Sequence, residues 1–92
     1  MAVVLVPIIF RGPTQGESSI PVPASTVGEC FDLVEEKHPG LREMVIDPAT
    51  GQIHRFVKVT LNGVLLDRGV DALATPVSED DEIEVIAAVA GG

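Results

Sequence analysis

The stretch TVGECFDLVEEKHPG, residues 26–40, decides the fold because it encodes one long amphipathic helix. Thr26 and Glu29 have the spacing of a capping box, which starts a helix. Pro39 and Gly40 are typical of the residues that end one. Between them, apolar residues recur every three or four positions, as on one face of a helix, at Val27, Cys30, Phe31 and Val34. The sequence therefore predicts a single main helix with one buried stripe.

Strand-like segments lie on both sides of this helix. Upstream, residues 2–10 are rich in Val and Ile, and residues 18–23 form a shorter segment whose prolines predict a strand at the sheet edge. Downstream, residues 56–61 alternate in polarity as a strand does. Asn62-Gly63 is a strong signal for a tight hairpin, which predicts a short return strand at residues 64–66.

The rest of the chain completes an order of elements that is typical of a β-grasp. Residues 41–46 favour a short helical turn, residues 71–76 are irregular by composition, and residues 82–89 read as a last, apolar strand. The fold class expected is α+β, a mixed sheet of about five strands packed on one main helix. The first and last strands are the most apolar, so we expect them to lie parallel to each other at the sheet centre. The domain is predicted to span residues 1–89, followed by a flexible tail at residues 90–92.

Composition excludes several classes of function. A chain of 92 residues has room for one domain, and its 46% apolar content supplies one core. A net charge of −8 disfavours nucleic acid and anionic lipid as partners. The apolar run at residues 3–6 is far too short for a membrane span, and a lone cysteine, Cys30, allows no internal disulfide. We therefore expect a cytoplasmic protein. We also expect it to be a monomer when free.

Catalytic motifs are scarce. His38 and His54 are isolated from other potential metal ligands in the sequence, and we expect both at the surface or in loops. Cys30 lies on the apolar stripe, where a thiol acts as a small buried hydrophobe. The acidic residues 79–82 fit a solvated turn. The sequence thus predicts no catalytic residue, no metal site and no bound cofactor, so we do not expect an enzyme.

The chain end is the unusual feature. Gly91 and Gly92 follow a predicted core strand, and glycine adopts backbone angles and close approaches that other residues cannot. At the tip is the α-carboxylate of Gly92, which is ionised at neutral pH because such groups have a pKa of about 3.3–3.7. A carboxylate becomes a useful electrophile only when its oxygen is converted into a good leaving group.

These residues resemble the ubiquitin-like sulfur carriers of the ThiS and MoaD family, in particular the CysO type. The resemblance covers essentially the whole chain. It includes the strand Ile83-Glu84-Val85-Ile86 behind its acidic turn, the segment from Asp47-Pro48 through Ile53-His54-Arg55-Phe56-Val57, and the terminus Ala88-Val89-Ala90-Gly91-Gly92. A terminal diglycine alone is a weak motif, but one that ends the last strand of a β-grasp is more specific.

The resemblance implies a role for each end residue. Gly92 would be adenylated and converted into a C-terminal thiocarboxylate, Gly91 would permit close approach to the nucleotide, and Val89 and Ala90 would position the tail in a partner's active site. The activating partner, an adenylating and sulfurtransferase enzyme of the ubiquitin-activating type, would use ATP and Mg²⁺. The sulfur acceptor would be bound by a PLP-dependent cysteine synthase or a thiazole-synthase-like enzyme. A metallopeptidase would release the product in the cysteine branch.

A partner also needs a surface to contact. Strand alternation predicts that Phe56, Lys58 and Thr60 face outward and that Ile86 joins Phe56 on the open face of the sheet. Phe56, Lys58 and Ile86 are therefore a candidate docking surface. The alternative for Phe56 is burial under the loop at residues 47–51.

Two other functions remain open at this point. A ubiquitin-like modifier would pass the same activated terminus to a lysine amine. A plain β-grasp binding module would have an incidental tail, and its function would survive deletion of Gly91 and Gly92.

Overall fold

The computed structural model describes residues 1–23 and 25–87. The elements in chain order are β1 (Ala2–Leu5), a 3-10 turn (Ile8–Phe10), β2 (Ser19–Val22), α1 (Val27–Lys37), α2 (Leu41–Val45), β3 (Val57–Leu61), β4 (Val64–Leu65), α3 (Val70–Leu73) and β5 (Glu82–Ala87). They form a five-stranded mixed sheet with the main helix packed on one face. The predicted β-grasp is confirmed.

The strand order across the sheet is β2-β1-β5-β3-β4. The central pair β1 and β5 is parallel, with Val4 opposite Ile83, and the other neighbours are antiparallel. The first and last strands therefore lie side by side at the centre, as predicted. The proline-containing strand β2 is at one edge, where a missing backbone N–H costs little.

Helix α1 begins and packs as its sequence predicts. The hydroxyl of Thr26 accepts a hydrogen bond from the backbone N–H of Glu29 at 3.2 Å, which satisfies one of the free donors at the helix start. The carboxylate of Glu29 accepts from the Ser25 hydroxyl at 2.9 Å. All four residues of the apolar stripe are buried against the sheet: Val27, Cys30, Phe31 and Val34.

Two predicted segments are wrong. The first strand was expected to span residues 2–10, but β1 ends at Leu5 and the chain turns through Pro7 into the 3-10 turn. Proline has no N–H to donate to the sheet, so the strand cannot continue through it undisturbed. Part of the segment at residues 71–76 forms α3, because tertiary packing there overrides a weak local pattern. Ala72 is buried in the core, and an added Cβ at Gly28 would lie only 3.2 Å from the Cβ of Leu73.

The hairpin between β3 and β4 is a tight turn with Asn62 and Gly63 at its tip. Both residues have positive φ angles, +51° and +84°, which is the conformation that favours Asn-Gly. The Asn62 side chain also binds the start of β5: its Nδ2 donates to Asp81 at 2.9 Å and its Oδ1 accepts from the N–H of Glu82 at 2.9 Å. The turn is therefore fixed to the central strand.

Among the described helices, none combines the length and apolar character that crossing a lipid bilayer requires.

Candidate functional site

The candidate site is the edge of the sheet where the chain leaves the central strand β5. Ala87 is the last described residue of this strand. The tail residues predicted to act in a partner, Val89, Ala90, Gly91 and Gly92, lie outside the described residues. Because β1 and β5 are parallel, their carboxyl ends meet at this same edge. The start of β3 is also here, since Val57 lies opposite Ala87.

A large groove opens beside the end of β5. It has a volume of about 720 Å³, and Leu5, Pro7, Ile8 and Ile86 contribute apolar side chains to its lining. Ile8 is 79% exposed and Ile86 is 39% exposed, so the groove presents aliphatic surface to solvent. Arg11, Ser18 and Glu84 supply its polar groups.

A second, smaller groove of about 340 Å³ lies on the other side of Ala87. It is lined by Ile9, Phe10, Met44, His54, Phe56, Val57 and Ala87. Phe56 is 62% exposed, so it is not buried under the loop at residues 47–51. The Phe56 ring lines the smaller groove together with Ala87, whereas the Ile86 side chain lines the larger groove.

Lys58 and Ile86 are direct cross-strand neighbours. They occupy opposed positions in the β3-β5 register, which places their Cβ atoms about 4.5–5.5 Å apart on the open face. Thr60 has the predicted direction but not the expected exposure. It lies on the same face, opposite Glu84 and Leu65, but it is only 8% exposed, and its hydroxyl has no hydrogen-bond partner among the described residues.

Acidic side chains flank the apolar part of the open face. Glu82 and Glu84 are exposed on β5, four and two positions before Ile86. At the start of this strand, hydrogen bonds from the Asn62 amide and the Ser78 N–H lower the pKa of Asp81, because both donors favour the charged carboxylate. The face thus combines apolar residues with fixed negative charge, and Lys58 is a cation within it.

Both histidines lie in loops, as one of the two expected placements had it, and both are half-buried. His54 Nε2 lies 2.8 Å from the backbone oxygen of Glu43, which ties the segment before β3 to α2. His38 lies 3.6 Å from a carboxylate oxygen of Glu17. Within residues 1–23 and 25–87, no three His, Cys, Asp or Glu residues are grouped so as to hold a metal ion.

Cys30 is fully buried on α1, and burial raises the pKa of its thiol. A thiol in this state is a poor nucleophile, because the thiolate is the reactive form. Sulfur chemistry at this side chain is therefore disfavoured while the protein is folded.

Sequence reasoning missed the two exposed isoleucines of the 3-10 turn. Ile8 and Ile9 were assigned to a strand, which placed them within the sheet rather than beside the chain exit. The turn instead exposes 79% of Ile8 and 63% of Ile9. Pro7 was the available signal, since it marks the end of an unbroken strand.

Comparison with known proteins supports a family assignment. Residues 11–92 match the model of the ThiS family. The sulfur carrier protein CysO of Mycobacterium tuberculosis H37Rv is 33% identical over 90 residues, which cover 97% of this chain and 96% of that protein. This match extends over nearly the whole of both chains.

Two solved structures share the fold. A chain in the crystal structure of the Amycolatopsis orientalis BexX/CysO complex superposes with a TM-score of 0.86 at 30% identity, covering 100% of both chains. SAMP1 from Haloferax volcanii superposes with a TM-score of 0.74 at 20% identity, covering 99% of this chain and 98% of that one. The second likeness is evidence of fold alone.

Proposed function

The chain belongs to the ThiS family and has a sulfur-carrier role, and from that premise we propose that it carries sulfur as a thiocarboxylate on Gly92. The observation that carries this proposal is the pairing of a rigid central strand with a chain end that has no side-chain bulk. β5 is hydrogen-bonded to a strand on each side in the middle of the sheet. The sequence given runs five residues beyond Ala87, and its last three residues are Ala90, Gly91 and Gly92. Such an end can enter a narrow active site while the domain stays outside.

The proposed chemistry needs an activating partner because the Gly92 carboxylate is unreactive. The partner's ATP, with Mg²⁺, would react with this carboxylate to form an acyl adenylate and release pyrophosphate. A sulfur donor would then attack the carbonyl carbon, break the bond to AMP and leave the thiocarboxylate. Gly91 would permit close approach to the nucleotide, and Val89 and Ala90 would hold the tail in the channel.

The terminal sulfur would next attack an activated acceptor bound to a second enzyme. A PLP-dependent cysteine synthase or a thiazole-synthase-like enzyme fits this step, and a metallopeptidase would release cysteine if the acceptor stays attached to the chain. This protein is then a co-substrate of enzymes and binds no cofactor itself. The buried, poorly nucleophilic Cys30 favours the chain end as the position of the carried sulfur.

The docking surface is proposed to consist of Ile86, Lys58 and Phe56, extended by Ile8 and Ile9. These residues surround the point where β5 ends. A partner that binds here would bury the exposed aliphatic and aromatic groups and place basic residues opposite the carboxylates of β5, since the whole chain has a net charge of −8.

Intact-mass spectrometry tests the cargo and its position together. The protein is incubated with an adenylating enzyme of the ubiquitin-activating type, ATP, Mg²⁺ and sulfide. We expect a mass gain equal to the exchange of one oxygen for one sulfur, and alkylation by iodoacetamide at the C-terminus. Gly92→Ala should fold normally and gain no sulfur. Normal sulfur gain by a chain without Gly91 and Gly92 would refute the assignment, and higher-mass conjugates on lysines would favour a protein modifier.

A second measurement tests the docking surface. Ile86→Ser should weaken binding to the adenylating enzyme, whereas Val64→Ser should not, because Val64 is 67% exposed but lies on β4 at the far edge of the sheet. Phe56→Ser tests the second groove in the same way. Circular dichroism must show all three variants folded. Equal affinities for Ile86→Ser, Phe56→Ser and wild type would contradict the proposed surface.

A further inference from the structure

The outer edge of β3 is only partly covered by β4. This two-residue strand pairs with Thr60 and Leu61 and then ends, and the next residue, Leu66, donates its N–H to the Val59 oxygen at 2.9 Å. Beyond this bond, a groove of about 300 Å³ separates residues 57–59 of β3 from residues 65–68. We call it the edge groove. It is closed on the β4 side, where Leu66 contacts Val59.

Two backbone groups of β3 point into the edge groove without a partner. At the end of β3 the Asn62 N–H donates to the Glu82 oxygen of β5 at 2.8 Å, and bonding to one neighbour alternates along an antiparallel strand. Val57 and Val59 therefore direct their backbone groups away from β5. The Val57 N–H donates to the His54 oxygen at 3.1 Å. The Val57 oxygen and the Val59 N–H have no hydrogen-bond partner within the residues that the structure describes.

This pair of groups matches a single residue of a parallel strand. Such a residue donates its N–H to the oxygen of one β3 residue and accepts from the N–H two positions further on. An antiparallel residue needs both groups of one β3 residue, and Val57 and Val59 each have one group already bonded. A parallel segment would enter from the start of β3 and could not pass Leu66. The segment must therefore end at the residue that lies opposite Lys58.

We propose that the edge groove binds the C-terminal residue of an extended segment of a partner protein. The N–H of that residue donates to the Val57 oxygen, and its terminal carboxylate accepts from the Val59 N–H. Lys58 and Arg68 both line the groove, and a guanidinium can bind a carboxylate in a planar fork. Asp67 is the opposing charge. The lining thus has one more positive than negative charge, in a chain whose net charge is −8.

Strand alternation sets the side-chain preference of the bound segment. Its penultimate residue lies opposite Val57, whose side chain is buried on the helix side of the sheet. Paired residues point to the same side, so the penultimate side chain points toward the buried Ile53, which also lines the groove. We therefore expect an apolar penultimate residue. The last side chain lies beside Lys58 on the open face.

The position of the edge groove suggests a use, and this use alone rests on the proposed function. Val57 lies opposite Ala87, the last described residue of β5. A strand added outside β3 would lie two strand spacings, about 10 Å, from β5 and at the end of the sheet where the chain leaves. A partner that inserts its own chain end here would be held beside that exit.

A nuclear magnetic resonance titration of the full-length protein tests the inference, with no ATP, sulfide or enzyme present. The probe is the peptide acetyl-Ser-Val-Ser with a free C-terminal carboxylate. We expect the Val59 amide proton to move downfield as its hydrogen bond forms. Amidation of the peptide C-terminus should weaken binding by about tenfold or more, because it removes a charged acceptor. Methylation of the last peptide nitrogen should weaken binding by about threefold to tenfold, because it removes the donor to Val57.

Variants of the groove lining give a second test, with circular dichroism to show that each is folded. Arg68→Gln should weaken binding of the peptide acid, and Asp67→Asn should strengthen it. Lys37→Gln is the matched control and should leave the affinity unchanged. It also removes a cation, but the Lys37 ammonium donates to the Pro21 oxygen of β2, at the opposite edge of the sheet.

Three results would overturn the inference. The first is a Val59 amide that does not move when the peptide acid is added, and the second is equal affinity for the peptide acid and the peptide amide. The third is a Val59 amide that moves with protein concentration alone, which would identify a second copy of this chain as the occupant. Because the titration contains none of the components of sulfur loading, failure of sulfur loading would leave peptide binding unchanged, and the reverse also holds.

Discussion

Two buried threonines should respond to the same substitution with opposite signs. Thr60 is only 8% exposed, and its hydroxyl has no partner among the described residues. Burying an unpaired hydroxyl costs about 1–3 kcal/mol in protein mutational data. Thr60→Val replaces the hydroxyl with a methyl group of similar volume, so we expect a gain of about 1 kcal/mol in the free energy of unfolding. For a domain of this size, that gain raises Tm by about 4–8 °C.

Thr14 is the matched control. It is fully buried, and its hydroxyl lies 2.9 Å from the Glu17 backbone oxygen and 3.2 Å from that of Arg11. Thr14→Val removes the donor and leaves these oxygens without it, which should cost about 1–2 kcal/mol. Urea denaturation followed by circular dichroism measures both changes. If Thr60→Val proves less stable than the wild type while Thr14→Val behaves as expected, the interpretation of Thr60 as a destabilising buried hydroxyl is wrong.

Three further predictions concern pH, reactivity and packing. The folded state lowers the pKa of Asp81. The Asp81 carboxylate therefore stabilises the folded protein above the pKa of an unfolded aspartate, and this stabilisation is lost as the pH falls through the lowered pKa. The difference in urea midpoint between wild type and Asp81→Ala should be larger at neutral pH than near about pH 3. Cys30 should resist iodoacetamide in the folded protein and react fully in denaturant, as intact mass would show, because its thiol is buried and its pKa is raised; rapid labelling of the folded protein would contradict this. Gly28→Val should lower the urea midpoint, at a cost of about 1–3 kcal/mol in the free energy of unfolding, because the added side chain overpacks the core. A Cβ at Gly28 would already lie 3.1 Å from the Leu73 backbone oxygen. Gly12→Val is the control without overpacking, because a Cβ at Gly12 meets nothing within 4 Å.

The core of the fold could be predicted because its signals are local and periodic. The spacing of Val27, Cys30, Phe31 and Val34 defines one helical face whatever it packs against. Asn62-Gly63 fixes a hairpin through positive φ angles that few other residue pairs adopt. The parallel pairing of β1 with β5 followed from their apolar character, since a strand buried at the sheet centre needs apolar residues.

The groove beside the chain exit could not be predicted because it depends on where two strands stop relative to each other. Ile8 and Ile9 have β-branched side chains, which favour strands. They lie outside the sheet because the chain turns at Pro7. The register that places Leu5 opposite Glu84 is a tertiary property with no local sequence signal. Thr60 likewise alternates correctly with Lys58, but its burial depends on neighbouring side chains across β4 and β5.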